Sequence, residues 1–95
     1  MRLNASEIAA IREEVRRLDS DAEIFLYGSR TDDSARGGDI DLLVVSDSVG
    51  FRELLRLRTA ILDRIGWQQL DLVVRRRDQL SEPLAAAAAE SGIRL

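Results

Sequence analysis

One segment limits what this chain can become. From Ile40 to Val45 it reads Ile-Asp-Leu-Leu-Val-Val, so apolar side chains fall on both faces of any strand built from it. A strand of that kind, spanning Asp39 to Ser46, must be covered on both sides and belongs in the middle of a sheet. Two shorter apolar runs suit buried strands beside it: Ile24-Phe25-Leu26-Tyr27, which ends at Gly28, and Gln69-Leu70-Asp71-Leu72-Val73-Val74.

Between the strands the periodicity changes to that of helices. Asn4 to Leu18 carries Ile8, Ile11, Val15 and Leu18 at helical intervals, and Asn4 and Glu7 stand at capping-box spacing. Gly50 to Ile65 predicts a second helix, with Leu54, Leu55, Leu57, Ile61, Leu62 and Ile65 as its buried side and Gly66 as its stop. Pro83 to Glu90 predicts a third. Pro83 suits its first turn, and the five alanines Ala85 to Ala89 allow a close approach to the sheet. Ile93-Arg94-Leu95 follows Gly92 as a short edge strand. Gly28 to Gly38 is a polar loop, with room for one helical turn after Ser29. The expected fold is α/β, more strictly α+β. It has a small mixed sheet of three to four strands, with helices packed mainly on one face, and residues 1–95 form one domain.

Two absences remove whole classes of chemistry. The chain has no cysteine and no histidine. Disulfides, thiol nucleophiles, thiolate-bound metals, histidine bases and imidazole-bound metals are therefore excluded. Carboxylates, hydroxyls, arginines, backbone amides and a hard cation remain. A net charge of −3 argues against a dedicated duplex-DNA binder. No apolar run approaches the ~20 residues of a membrane span. The opening Met1-Arg2-Leu3-Asn4-Ala5-Ser6-Glu7 is not a signal peptide, so a cytoplasmic protein is expected.

The chemistry concentrates around three acids. Asp39 and Asp41 are two apart, which in a strand puts both carboxylates on one face with Cα atoms ~6.5–7 Å apart. Repelling carboxylates inside an apolar run are costly unless a positive charge lies between them. A divalent cation with oxygen ligands is the natural answer here. Asp71 also interrupts an apolar strand. If that strand lies beside Asp39–Ser46, one register adds Asp71 to the same face. Three carboxylates so arranged suit two Mg²⁺ ions ~3.5–4 Å apart, the clamp of in-line phosphoryl displacement. Gly28 and Ser29 open a loop straight after a buried strand, where backbone N–H groups and a hydroxyl suit phosphate.

Other patterns carry less. A P-loop needs a lysine and the chain has none, and no Gly-x-Gly-x-x-Gly dinucleotide loop occurs. Arg36 and the triplet Arg75-Arg76-Arg77 read as solvated loop charge. Trp67 and Tyr27 read as core or rim packing rather than base-stacking platforms.

Gly28-Ser29, a spacer of nine residues, Asp39-Ile40-Asp41 and a later strand-borne Asp71 resemble the nucleotidyltransferase superfamily of the DNA polymerase β type. The Gly28-Ser29-Arg30 opening in a short chain is similar to its minimal nucleotidyltransferases, which are often paired with a HEPN protein. The resemblance spans residues 5 to 95. It implies that Gly28, Ser29 and Arg30 hold the triphosphate and that Asp39 and Asp41 bind both of two Mg²⁺ ions. Asp71 would complete one metal site and help activate the attacking hydroxyl. It further implies ATP as substrate, transfer of AMP to an acceptor hydroxyl, and a HEPN-type partner protein to which this chain is the antitoxin. The alternative of another class is a binding module that neutralises a partner by masking it, with weak transfer or none. A homo- or hetero-oligomer is expected of a domain this small.

Overall fold

The computed structural model describes residues 3–28 and 39–95. Its order is α1 (Ala5–Leu18), β1 (Glu23–Tyr27), β2 (Ile40–Val45), α2 (Phe51–Ile65), β3 (Leu70–Arg75), a 3₁₀ turn (Arg77–Gln79), α3 (Pro83–Ser91) and β4 (Ile93–Arg94). The strands form one mixed sheet in the order β3-β2-β1-β4. β1 pairs antiparallel with β2 and with β4, whereas β2 and β3 run parallel on either side of α2. This is the α+β architecture expected, with all four strands formed.

β2 is the buried centre of the sheet. Leu42, Leu43, Val44 and Val45 have no exposed surface at all. Alternation sends Ile40, Leu42 and Val44 into a core with Ile11 and Val15 of α1 and Leu57, Ile61 and Leu62 of α2. Leu43 and Val45 point the other way, where Phe25 joins them beneath Ala85 and Ala88 of α3. Two helices thus cover one face and the short α3 the other. Apolar burial at roughly 25 cal/mol per Å² is the main term holding these layers together.

Local chemistry fixes the helix ends. The Asn4 side chain accepts from the Glu7 N–H at 2.8 Å while Glu7 accepts from the Asn4 N–H at 3.0 Å, so the capping box is formed. Such caps contribute ~1 kcal/mol. At the other end of the chain a Cβ on Gly92 would lie 2.8 Å from the Leu26 carbonyl oxygen and would also strike that of Ala88. The missing side chain is what lets β4 leave α3 and reach β1.

Several expectations need correction. Leu55 is 52% exposed and does not belong to the buried side of α2, and Leu54 and Ile65 are only partly covered. The buried arc centres on Leu57 and Ile61, and Leu55 lies two residues, about 200° of helical rotation, before Leu57. Trp67 is 82% exposed and is neither core nor rim. It sits just past the end of α2, with the Arg58 guanidinium 5.8 Å from its ring centre. Arg75, Arg76 and Arg77 are not merely solvated. Arg75 bonds Glu82 at 3.0 Å, Arg76 bonds Asp78 at 3.2 Å, and Arg77 bonds Asp47 at 3.2 Å and the Asp21 carbonyl at 2.6 Å. No helix among the described residues is long and apolar enough to cross a membrane.

Candidate functional site

The parallel register between β2 and β3 sets Asp41 opposite Asp71. The antiparallel register between β1 and β2 sets Tyr27 opposite Asp41. One row of side chains therefore crosses three strands as Tyr27, Asp41 and Asp71, with neighbouring backbones ~4.8 Å apart. The next row along the same face is Phe25, Leu43 and Val73, which belongs to the apolar layer under α3. The acids thus stand where that layer ends, at the entry of β2 and β3 and the exit of β1. Asp41 is half-buried, and Asp71 and Asp39 are exposed.

Among the described residues no ion pair engages the carboxylates of this edge. Partial burial pushes the Asp41 carboxyl above its ordinary value, and the negative charges of Asp71 and then Asp39 push it further. The Tyr27 hydroxyl is also pushed up, first by burial, then by Asp41 and Asp71, with Arg75 opposing. Asp39, just ahead of β2, therefore acts on Asp41 through its field. Among the described residues no group of three acidic side chains forms a closed metal cage. The structure brings together a pair, Asp41 and Asp71, with Asp39 nearby. The donor set fits a hard cation: it is all carboxylate oxygen, partly desolvated, and repulsive without a positive charge.

Gly28 completes the described part of the site. Its φ is +76°, and a Cβ there would run into Oδ2 of Asp41. The bare backbone after β1 thus comes directly against the Asp41 carboxylate, where any side chain at position 28 would collide with it. Ser29 and Arg30 lie outside the described residues, as does the helical turn expected after Ser29.

Of the arginine triplet only Arg75 acts on this row, through its charge on the Tyr27 hydroxyl. Arg75 is four residues beyond Asp71 along β3, about 13 Å away. At the opposite end of the sheet Arg75 bonds Glu82, Arg76 bonds Asp78 within the turn after β3, and Arg77 ties that turn to Asp47 and the Asp21 carbonyl. The hollow of about 540 Å³ lined by Ala9, Arg12, Glu13, Arg16 and Arg17 lies on α1, across the sheet from the acids, and takes no part in the site. Tyr27 is the residue whose place the sequence concealed. Its position before Gly28 was visible, but its alignment with Asp41 follows only from the β1–β2 register.

The family model for the nucleotidyltransferase domain matches residues 8–87. The chain belongs to this family. The match runs from α1 into α3 and so takes in every strand that carries a site residue. Membership in the nucleotidyltransferase family brings with it the general activity, nucleotidyl transfer, and an acidic edge beside a glycine turn is consistent with it. No curated protein matches the chain.

Proposed function

We propose that this nucleotidyltransferase transfers AMP from ATP to a hydroxyl group of a partner protein, and that the acceptor is a HEPN-type toxin held inactive by the modification. The observation that carries the catalytic part is the alignment of Asp41 with Asp71 at one end of the sheet, against the bare backbone of Gly28. The protein acceptor and the antitoxin role rest on the resemblance of Gly28-Ser29-Arg30 and Asp39-Ile40-Asp41 to the minimal branch of the superfamily.

In this reading Asp39, Asp41 and Asp71 hold two Mg²⁺ ions. Bound there, the ions would supply positive charge for the α-phosphate and for the departing pyrophosphate. Gly28 and Ser29 offer backbone N–H groups to the triphosphate, and Ser29 adds its hydroxyl. Arg30 offsets phosphate charge. Asp71 draws the proton from the attacking hydroxyl. The acceptor oxygen bonds the α-phosphorus, the bond from that phosphorus to the β-bridging oxygen breaks, and pyrophosphate leaves. The half-buried setting of Asp41 supports strong electrostatics, since charge interactions strengthen as water is excluded.

The test uses α-labelled ATP, Mg²⁺, the purified protein and a lysate of the cells that make it, with the Asp39→Ala/Asp41→Ala variant as control. A labelled protein seen only with the wild type supports the proposal, and its mass identifies the acceptor. A labelled RNA would replace the protein acceptor. No label from any of the four nucleotides, with a folded chain that still binds a partner, would favour masking without transfer.

A further inference from the structure

β3 is the last strand of the sheet, and among the described residues only β2 pairs with it. Its hydrogen bonds alternate along the chain. The Ile40 N–H donates to the Gln69 carbonyl and the Ser46 N–H to that of Arg75, each at 2.9 Å. With the parallel register, Gln69, Asp71, Val73 and Arg75 turn their backbone groups toward β2. Leu70, Leu72 and Val74 turn theirs outward, away from the sheet. The Val74 carbonyl is occupied, accepting from Nη1 of Arg75 at 2.9 Å, and Glu82 holds that guanidinium in place. Among the described residues the N–H and carbonyl groups of Leu70 and Leu72 meet no other strand. The outer side of β3 is thus closed at its far end and open at the end beside Asp71.

That alternation decides how Asp71 would meet an added strand. A strand laid antiparallel on this side pairs through Leu70 and Leu72. Asp71 then stands in a non-hydrogen-bonded pair, the closer kind, with Cα atoms ~4.5 Å apart and both side chains on one face. The row Tyr27, Asp41, Asp71 gains a fourth member directly beside Asp71. Asp41 takes the inner flank of Asp71, so the outer flank is the one left for an acceptor. α3 leaves room there, since it packs over β1 and β2 and Val73 stays half-buried on the same face.

We infer that the acceptor hydroxyl arrives on an extended segment of the partner protein, which pairs antiparallel with the outer side of β3 and sets its hydroxyl residue opposite Asp71. The inference rests on the transfer reading above, with Asp71 taking the proton as the acceptor oxygen bonds the α-phosphorus and pyrophosphate leaves. Unpaired backbone groups call for a strand, and main-chain bonds of this kind are how a sheet edge takes a peptide. The residues on either side of the hydroxyl residue bond Leu70 and Leu72 and face the core under α2, where Leu72 is half-buried, so they are apolar. The residue two before it stands opposite Val73 and is apolar as well. A second copy of this chain fits poorly. A two-fold pairing centred on Asp71 sets that carboxylate against its own copy. One centred on Leu72 or Val73 calls on the Val74 carbonyl, which Arg75 occupies.

Synthetic peptides test this on the wild-type chain, so no variant has to fold. The probes carry Val-Val-Tyr-Val or Val-Val-Ser-Val between lysines, at millimolar concentration with α-labelled ATP and Mg²⁺. Label on the central hydroxyl is expected. Methylating the backbone nitrogen of either neighbour of the central residue removes a donor to β3 and should cut labelling about tenfold. Methylating the central nitrogen, which faces away from β3, should change it by about twofold at most. Amide hydrogen exchange gives a second reading. The peptide should slow exchange at Leu70 and Leu72 and leave Asp71 and Val73, already bonded to β2, as they were. Labelling that ignores the position of the methyl group, or Leu70 and Leu72 amides that stay unprotected, overturns the inference while transfer stands. So does label on a protein or RNA of the lysate but on none of the peptides. No label on peptide or lysate overturns the transfer reading, and this inference falls with it.

Discussion

Asp41 and Asp71 face each other across the parallel β2–β3 ladder, one row beyond the apolar layer that α3 covers. Two strand acids on one face are a structural liability. In the proposed function they hold a cation.

Replacing either acid by Asn should separate activity from folding. Asp41→Asn and Asp71→Asn are each expected to lower nucleotidyl transfer by at least a hundredfold, the scale on which a single electrostatic group acts at a reacting centre. Neither should unfold the chain, because each removes one of two repelling charges. Initial rates with labelled ATP, taken beside thermal melts of the same preparations, check both halves. A variant that melts early and loses activity in proportion would reduce the acids to a structural role.

Magnesium should stabilise the wild type and not these variants. A ligand at ten times its dissociation constant adds about 1.4 kcal/mol, or roughly 6–11 °C in Tm for a domain of this size. Without metal, the Asp41 carboxyl binds its proton more tightly in the folded chain than in the unfolded one. The resulting penalty is absent below the unfolded value of 3.8, grows as pH rises through the raised folded value, and is complete above it. Asp41→Asn should remove that slope from a plot of Tm against pH, and saturating Mg²⁺ should flatten it.

Gly28→Ala should impair both stability and transfer. The left-handed backbone costs an alanine ~1–2 kcal/mol, and the added methyl displaces the Asp41 carboxylate. Urea titration should show that loss, while the Mg²⁺-induced rise in Tm shrinks or disappears. An alanine variant with the full metal response would mean that Asp41 tolerates displacement.

The opposite pH dependence belongs to Asp19. The Ser46 hydroxyl donates to Asp19 at 2.5 Å and accepts from the N–H groups of Ser48 and Val49 at 3.1 and 3.2 Å. The Ser46 hydrogen bond, then one from the Asp21 N–H, with Arg77 nearby, holds the Asp19 carboxyl below its ordinary value. Its contribution is present above the unfolded value of 3.8 and is lost as pH falls through the lower folded value. Ser46→Ala should cost about 1–2 kcal/mol by urea titration at neutral pH, because Ser46 is buried and two N–H groups lose their acceptor. The difference from wild type should narrow in acid.

Much of the fold was legible because its signals are local. The two-sided apolar run at Ile40–Val45 called for a central strand, Asn4 and Glu7 marked a helix start, and Pro83 marked another. Each depends on residues a few positions apart, so chain order alone reveals it. The acids were legible for a related reason. Asp41 and Asp71 each break an apolar strand, and an unexplained charge in such a place stands out whatever lies around it.

The rest depended on which surfaces met. Leu55 and Leu54 are chemically alike, yet packing against the sheet at Leu57 and Ile61 covers more of one than of the other. Trp67 reads as core or rim packing, but it lies past the end of α2 and is 82% exposed. Arg75, Arg76 and Arg77 read as solvated charge until folding brings Glu82, Asp78, Asp47 and the Asp21 carbonyl to them. Most decisive is the registration of Asp41 with Asp71 and of Tyr27 with Asp41. A strand's own residues set which side chains share a face. Only pairing between strands sets which of them stand opposite, because a shift by two residues keeps every apolar side chain inside and still moves the acids apart.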